Sequence, residues 1–304
     1  MSVGPMKLSK ILEHLRCPIC MGDLDFVEKG NANKSIICTK CGEKYYMYGK
    51  IIDLLPKAFV RGSDLRWMRY YDKIAKDYYR LFHRILPILT LGAEGRIRKR
   101  WINKLGLREG NYALDVATGT GRNIPYLCRR VGSEGLVFGV DISFGMLQYA
   151  VRYAEKWENV ILVRANASHL PFPDNIFDAV FHVGGINTFE DKELAIREMV
   201  RVAKTGARII VIDEGLDPKL RNTKRGKKLI ASNALYASMP PIKEFQRYAR
   251  NIRVEWHIIF NKLIAIWPYY VLQAEKLSFK VHVKVKIHRL CSKLYINIVS
   301  NSFS

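Results

Sequence analysis

The sequence predicts an α/β fold: a doubly wound, mostly parallel sheet preceded by a small cysteine-rich ribbon. Three observations carry this. From residue 110 onward, short apolar runs alternate with amphipathic, helix-like stretches, a pattern that places helices on both faces of a parallel sheet. A small-residue turn, "LDVATGTGRN" (114–123), joins the first of these runs to the first helix. Two Cys-x-x-Cys pairs sit within the first 41 residues.

The elements follow in order. "CPIC" (17–20) and "CTKC" (38–41) are separated by 17 residues, room for a hairpin that brings both turns to one ion. Cys17, Cys20, Cys38 and Cys41 would complete a tetrahedral Zn²⁺ and leave no open position, so a structural zinc is expected in a unit spanning 1–57. A redox role for either pair is the competing reading, weakened by the lack of a surrounding βαβ pattern. Residues 58–106 read as a helical connector. Trp67, Tyr70, Tyr71, Ile74, Tyr78 and Leu81 recur at mostly three- and four-residue steps, one face of a helix that either packs or acts as a lid. A second basic helix follows over 92–107. Strand candidates in the 107–272 region are "YALDVA", "LVFGVDI", "VILVRA", "FDAVFHV" and "ARIIVID". "VEWHIIF-NK-LIAIW" reads as a hairpin turning at Asn261–Lys262. In the basic tail, 273–304, "FKVHVKVKIH" (279–288) alternates apolar and cationic residues. That is the pattern of an edge strand, of a membrane- or RNA-facing strip, or of a tail without a role.

The glycine turn distinguishes among nucleotide ligands. A dinucleotide fingerprint needs a third glycine and a P-loop needs Gly-Lys-Ser/Thr; Gly119 and Gly121 are followed by Arg122, Asn123 and Ile124. Asp115, four residues before Gly119, would repel a pyrophosphate but suits a cationic centre. Twenty residues after Gly121, Asp141 ends the second strand, where a carboxylate accepts hydrogen bonds from ribose hydroxyls. An adenosine ligand without phosphates and with a positive centre fits best, and S-adenosylmethionine is such a ligand.

With these motifs in place, residues 66 to 270 resemble the class I S-adenosylmethionine-dependent methyltransferases, closest to the UbiE-like, type 11 group. The carriers are "LDVATGTGRN", "VFGVDIS", "NASHLPFPDNIFDAVF" (166–181), "EMVRVAKTGARIIVID" (198–213) and the upstream "YYDKIAKDYY" (70–79). "CPICMGDLDF" and "CTKCGEKYYMYGKIIDLLP" resemble zinc ribbons of the Trm112 family. The resemblance implies a Rossmann-like, seven-stranded sheet closed by an antiparallel pair, with 58–106 as its lid. It also implies cofactor contacts at Asp115, Ala117, Gly119, Gly121, Asp141, Ile142, Asn166 and Ala167. Ala117 stands where many members carry glycine. Asp115 and Gly119 would meet the methionine end, Gly121 would let the backbone approach, and Ile142 would pack the adenine. Asn166 and Ala167 would read its edge. His182 and Asn187, after the fourth strand, would face the acceptor, with His182 a candidate base.

Charge bounds the partners. The net charge is +22. Lys and Arg outnumber Asp and Glu 13 to 5 over 58–110 and 17 to 4 over 216–304, whereas acids lead 13 to 11 over 111–215. Basic flanks around a slightly acidic centre suit RNA, an anionic membrane surface or plain solvation. Neither an apolar signal core nor an uninterrupted membrane-length run occurs, so a cytoplasmic protein with no transmembrane segment is expected. The leading functional expectation is methyl transfer to a small-molecule acceptor of quinone- or lipid-like character. RNA methylation and a non-catalytic binding role are the alternatives.

Overall fold

The computed structural model describes residues 8–27, 35–261, 265–277, 288–290 and 293–295. After α1 (Leu8–Glu13) come four short strands, β1 (Leu24–Val27), β2 (Ser35–Cys38), β3 (Lys44–Tyr48) and β4 (Ile51–Asp53). A helical segment follows: α2 (Gly62–Arg80), a wider turn over Leu81–Ile85, α3 (Leu86–Leu89) and α4 (Ala93–Asn103). Next are β5 (Tyr112–Val116), α5 (Ile124–Val131), β6 (Leu136–Asp141), α6 (Phe144–Lys156), β7 (Val160–Arg164) and β8 (Phe177–Val183). α7 (Lys192–Val202), β9 (Ala203–Glu214), α8 (Pro218–Arg221), α9 (Lys224–Ser232), α10 (Ile242–Gln246), β10 (Ala249–Asn261) and β11 (Ala265–Lys276) complete the main body.

The seven predicted strands are present in the order β7-β6-β5-β8-β9-β11-β10. β5 to β9 are parallel, and β11 runs antiparallel to both β9 and β10. Burial explains why they read as continuous apolar runs: every residue of β6 is buried, as expected of a parallel strand covered on both faces. One face packs against α4, α5 and α6 through Trp101, Leu127 and Leu147. The other packs against α1, α7 and α10 through Leu12, Met199 and Phe245.

The ribbon lengthens this sheet instead of standing beside it. β4 pairs in parallel with β7, Ile51 opposite Leu162 and Ile52 opposite Val163, so the order continues β1-β2-β3-β4-β7 and the sheet has eleven strands among the described residues. The apolar "IID" satisfies the otherwise open edge of β7, and an Asp53–Arg164 ion pair at 3.0 Å fixes the register. Leu15, Ile36 and Leu54 join the same core as Leu114 and Val163.

β11 extends to Lys276, past the boundary expected at 272. The residues at the predicted turn, 262–264, and most of the alternating 279–288 stretch lie outside the described residues.

Candidate functional site

The site forms at the carboxyl ends of β5 to β9, where ligands of open α/β sheets bind. After β5 the backbone passes through left-handed conformations at Ala117 (φ +54°), Gly119 (φ +57°) and Gly121 (φ +79°) before entering α5. A side chain on Gly119 would meet open space, but one on Gly121 would strike the Tyr153 ring at 2.6 Å. Gly119 therefore leaves the loop open toward the cavity. Gly121 serves packing against α6, not the ligand approach expected of it.

Asp115 is fully buried and does not border the cavity. It accepts hydrogen bonds from Thr118 Oγ1 (2.6 Å) and Asn123 Nδ2 (2.9 Å), so it shapes the glycine loop from behind the cavity wall. Burial pushes its carboxyl up to about 6. Asp141 does line the cavity. It accepts from Ser143 N and Gly119 N, both at 2.8 Å, and burial raises it to about 6 as well. Ile142, Ala117, Gly119, Asn166 and Ala167 share this lining.

Asn166 is more committed than its sequence context suggests. Its Oδ1 accepts from Ser168 N (2.8 Å), and its Nδ2 donates to Phe59 O (2.7 Å) and to Asp64 Oδ2 (2.8 Å). Its amide donors thus face the connector, leaving only the remaining lone pair toward the cavity.

The connector lies across the strand ends. Ser63 N donates to Glu190 Oε2 (2.6 Å) and Ser63 Oγ to Thr188 O (2.7 Å). Midway along α2, Asp72 Oδ1 accepts from Ser143 Oγ (2.6 Å) and Gly145 N (2.8 Å), placing a carboxylate on the N-terminus of α6. Beyond α2, Arg152 donates to His83 Nδ1 (2.6 Å), so His83 Nε2 carries the proton and donates to Thr120 Oγ1 (2.7 Å). Burial and the nearby Arg152 hold that imidazole down at about 3, neutral.

Beneath the connector lies a cavity of about 580 Å³. Its wall runs from Asp141 and Asn166, past Gly119, to an apolar end built by Phe82, Leu86, Ile97, Ile259 and Trp267. Trp67, Tyr71 and Tyr78 of α2 roof it. Where the glycine loop meets α4, Glu94 pairs with both Arg98 and Arg122, and Arg98 also donates to Asn123 Oδ1. Burial and Arg98 lower Arg122 to about 10. Two guanidinium groups against one carboxylate leave a net positive wall. Arg122 Nη2, though in ion-pair contact with Glu94, lacks a well-aligned hydrogen-bond acceptor.

The two residues expected to act on the acceptor do not line the cavity. His182 is fully buried. Its Nδ1–H donates to Val116 O (2.9 Å) and its Nε2 accepts from Ile186 N (3.1 Å). With both nitrogens engaged and burial lowering it to about 4, it holds strand ends together and offers no free base. Asn187 donates from Nδ2 to Glu214 O (2.9 Å) and its backbone N donates to Asp213 Oδ2 (2.9 Å), while its buried Oδ1 has no hydrogen-bond partner among the described residues. The carboxylate of this rim that does line the cavity is Glu214. Beside it Asp213 is buried, and burial together with Glu214 raises its carboxyl well above the usual range.

Arg98, Glu94 and Asp72 join the site without having been singled out. Helix spacing alone gave Trp67 a face. Nothing local marks Asp72 as a cap for a helix that starts 72 residues later.

At the ribbon, the thiol sulfurs of Cys17, Cys20, Cys38 and Cys41 all lie within 4.8 Å of one another, with Cys17–Cys41 at 3.7 Å and Cys20–Cys38 at 3.4 Å. A tetrahedral ion with ligands about 2.3 Å away needs sulfurs about 3.8 Å apart, so the donor set fits one dication.

Comparison with known proteins agrees with this architecture. Residues 114–211 match the family described as a methyltransferase domain. A demethylmenaquinone methyltransferase of Staphylococcus aureus is 37% identical over 145 residues, 48% of this chain and 58% of that protein; the chain thus spans a little over half the length of the curated relatives it matches. Among solved structures, the complex of the Haloferax volcanii Trm112 methyltransferase activator with a putative methyltransferase aligns over 69% of this chain and 98% of that one, at 14% identity and a TM-score of 0.50. An Aquifex aeolicus SAM-dependent methyltransferase aligns over 59% and 89%, at 23% identity and a TM-score of 0.42. Residues 114–211, on the parallel sheet described above, thus match the methyltransferase-domain family model.

Proposed function

We propose that this chain transfers a methyl group from S-adenosylmethionine to a small, largely apolar acceptor of quinone- or lipid-like character. The observation that carries the reading is the single cavity joining a carboxylate-and-amide end, Asp141 and Asn166, to an apolar end at Phe82, Leu86 and Trp267. The Staphylococcus relative's quinone substrate supports the same acceptor class.

The donor supplies a methyl on a sulfonium, and this chain's residues orient it and exclude water. Asp141 would hold the ribose, Ile142 and Ala167 would flank the adenine, and Gly119 would leave room for the methionine end. Arg98 and Arg122 would balance its carboxylate. Trp67, Tyr71 and Tyr78 would shield the reacting atoms. Where the acceptor atom is a carbon, it must also lose a proton, and Glu214 is the rim carboxylate placed to take it. The four cysteines would hold a structural zinc that pins the ribbon to the sheet edge.

The test is incubation with methyl-tritiated S-adenosylmethionine and a demethylated naphthoquinol, followed by solvent extraction. Label in the organic phase is the expected result. Label retained in RNA from an added cell extract, and lost on ribonuclease treatment, would overturn the acceptor class. Calorimetry with S-adenosylhomocysteine tests the donor site separately, and absence of binding would favour a non-catalytic role.

A further inference from the structure

The connector has a second face. Phe82, Leu86 and Thr90 point into the cavity, while Leu81, Arg84, Ile85, Ile88, Leu89 and Leu91 are exposed. Leu81, Ile85 and Leu89 are more than 40% exposed, Ile88 is 73% exposed and Leu91 84%. Such large apolar groups exposed together within eleven residues are unusual on a water-facing surface. Leading to this tip, Arg66, Arg69, Lys73, Lys76, Arg80 and Arg84 are all exposed. They recur at steps of three and four, so the cations form one stripe along α2 and the turn after it. α2 has 19 residues, and the stripe is therefore about 25–30 Å long.

We propose that this outer face, residues 66–91, docks on an anionic lipid bilayer, with the 81–91 tip entering the headgroup region and the cationic stripe lying along the surface. Cations beside exposed aliphatic side chains are the chemistry of interfacial helices, and each cation near an anionic leaflet adds to the attraction. RNA would account for the stripe but not for Ile88 and Leu91. The inference rests on the apolar-acceptor reading in one respect: the same turn that meets lipid on one side bounds the apolar end of the cavity on the other, giving an acceptor dissolved in the bilayer a short way in.

The test is co-sedimentation of the full chain with vesicles of phosphatidylcholine alone or mixed with phosphatidylglycerol. Binding is expected only to the anionic vesicles. It should fall about tenfold or more in the Ile88→Glu/Leu91→Glu double variant and again in Arg80→Glu/Arg84→Glu. None of these residues lines the cavity, so S-adenosylhomocysteine affinity should be unchanged in both variants, which also reports that they fold. Vesicle binding that survives both double variants would overturn the proposal, as would binding of structured RNA lost with Arg80→Glu/Arg84→Glu but not with Ile88→Glu/Leu91→Glu. A dimer abolished by Ile88→Glu/Leu91→Glu, without vesicle binding, would assign the tip to a second copy instead. Vesicle binding without methylation of a soluble naphthoquinol would remove the acceptor reading and leave the docking surface standing.

Discussion

At Ala117 the backbone sits at φ +54° with a Cβ attached, a conformation that costs an L-residue roughly 1–2 kcal/mol. Ala117→Gly should relieve that strain and lose part of the gain to the freer unfolded chain. A net stabilisation of about 0.5–1 kcal/mol is expected, measured by urea denaturation. The buried histidines set a pH dependence. His83 and His182 are held at about 3 and about 4, so below pH 6.5 the unfolded chain takes up protons that the folded chain refuses, and stability falls with acid. Asp115 and Asp141, raised to about 6, oppose this between about pH 4 and 6, where the folded chain protonates first. Asp213, raised well above the usual range, opposes it as well, so the histidines' acid-destabilising share is read by removing one of them. His182→Gln can keep both hydrogen bonds and should raise the melting temperature at pH 4.5 relative to that at pH 7; an unchanged difference would show that His182 titrates normally. Glu214→Gln should lower kcat by about 100-fold with little change in donor affinity, as expected for loss of a positioned base.

Two elements depend on contacts that no local pattern announces. α2 is amphipathic, and its cavity-facing residues were visible as a stripe. Its attachment is not, because Asp72 caps α6 and Asp64 meets Asn166 across more than 70 residues of sequence. Asp72→Ala should cost about 1 kcal/mol of α2 attachment, read as faster tryptic cleavage within 61–84 and no change in the core's amide protection. β4 likewise reads as an apolar tripeptide whose partner cannot be named from the sequence. Its pairing with β7 means that, if the four cysteines hold zinc as proposed, its removal should disturb the Asp141 side of the cavity as well. Chelation, or Cys38→Ser, is expected to lower the melting temperature and weaken S-adenosylhomocysteine binding through Arg164, which spans from Asp53 to the carbonyl of Ile142. Unchanged affinity after verified zinc loss would confine the ribbon to stability.

Across the molecule, what was legible was what repeats. Parallel strands covered on both faces leave long apolar runs, and a left-handed turn after the first of them calls for glycine at Gly119. Hence the strands, the glycine loop and the Asp141 strand end could be read directly. Residues whose chemistry depends on distant partners could not. His182 looks like a base at a strand end until Val116 and Ile186 are seen to occupy both nitrogens, and Asp115 looks like a ligand carboxylate until Thr118 and Asn123 close over it. Arg98 reads as one cation among many until Glu94 and Arg122 gather round it.

One consequence lies in the three bonds of Asn166. The side chain that borders the Asp141 end of the cavity is bonded at the same time to Phe59 and to Asp64, so if the donor binds there as proposed, its binding and the attachment of α2 form two legs of one thermodynamic cycle. Such coupling is reciprocal: whatever factor the bound donor adds to α2 attachment, that attachment adds to donor affinity. Asp64→Ala should therefore weaken S-adenosylhomocysteine binding from outside the 166–181 loop, and saturating S-adenosylhomocysteine should slow tryptic cleavage of α2 in the unaltered chain by the larger factor.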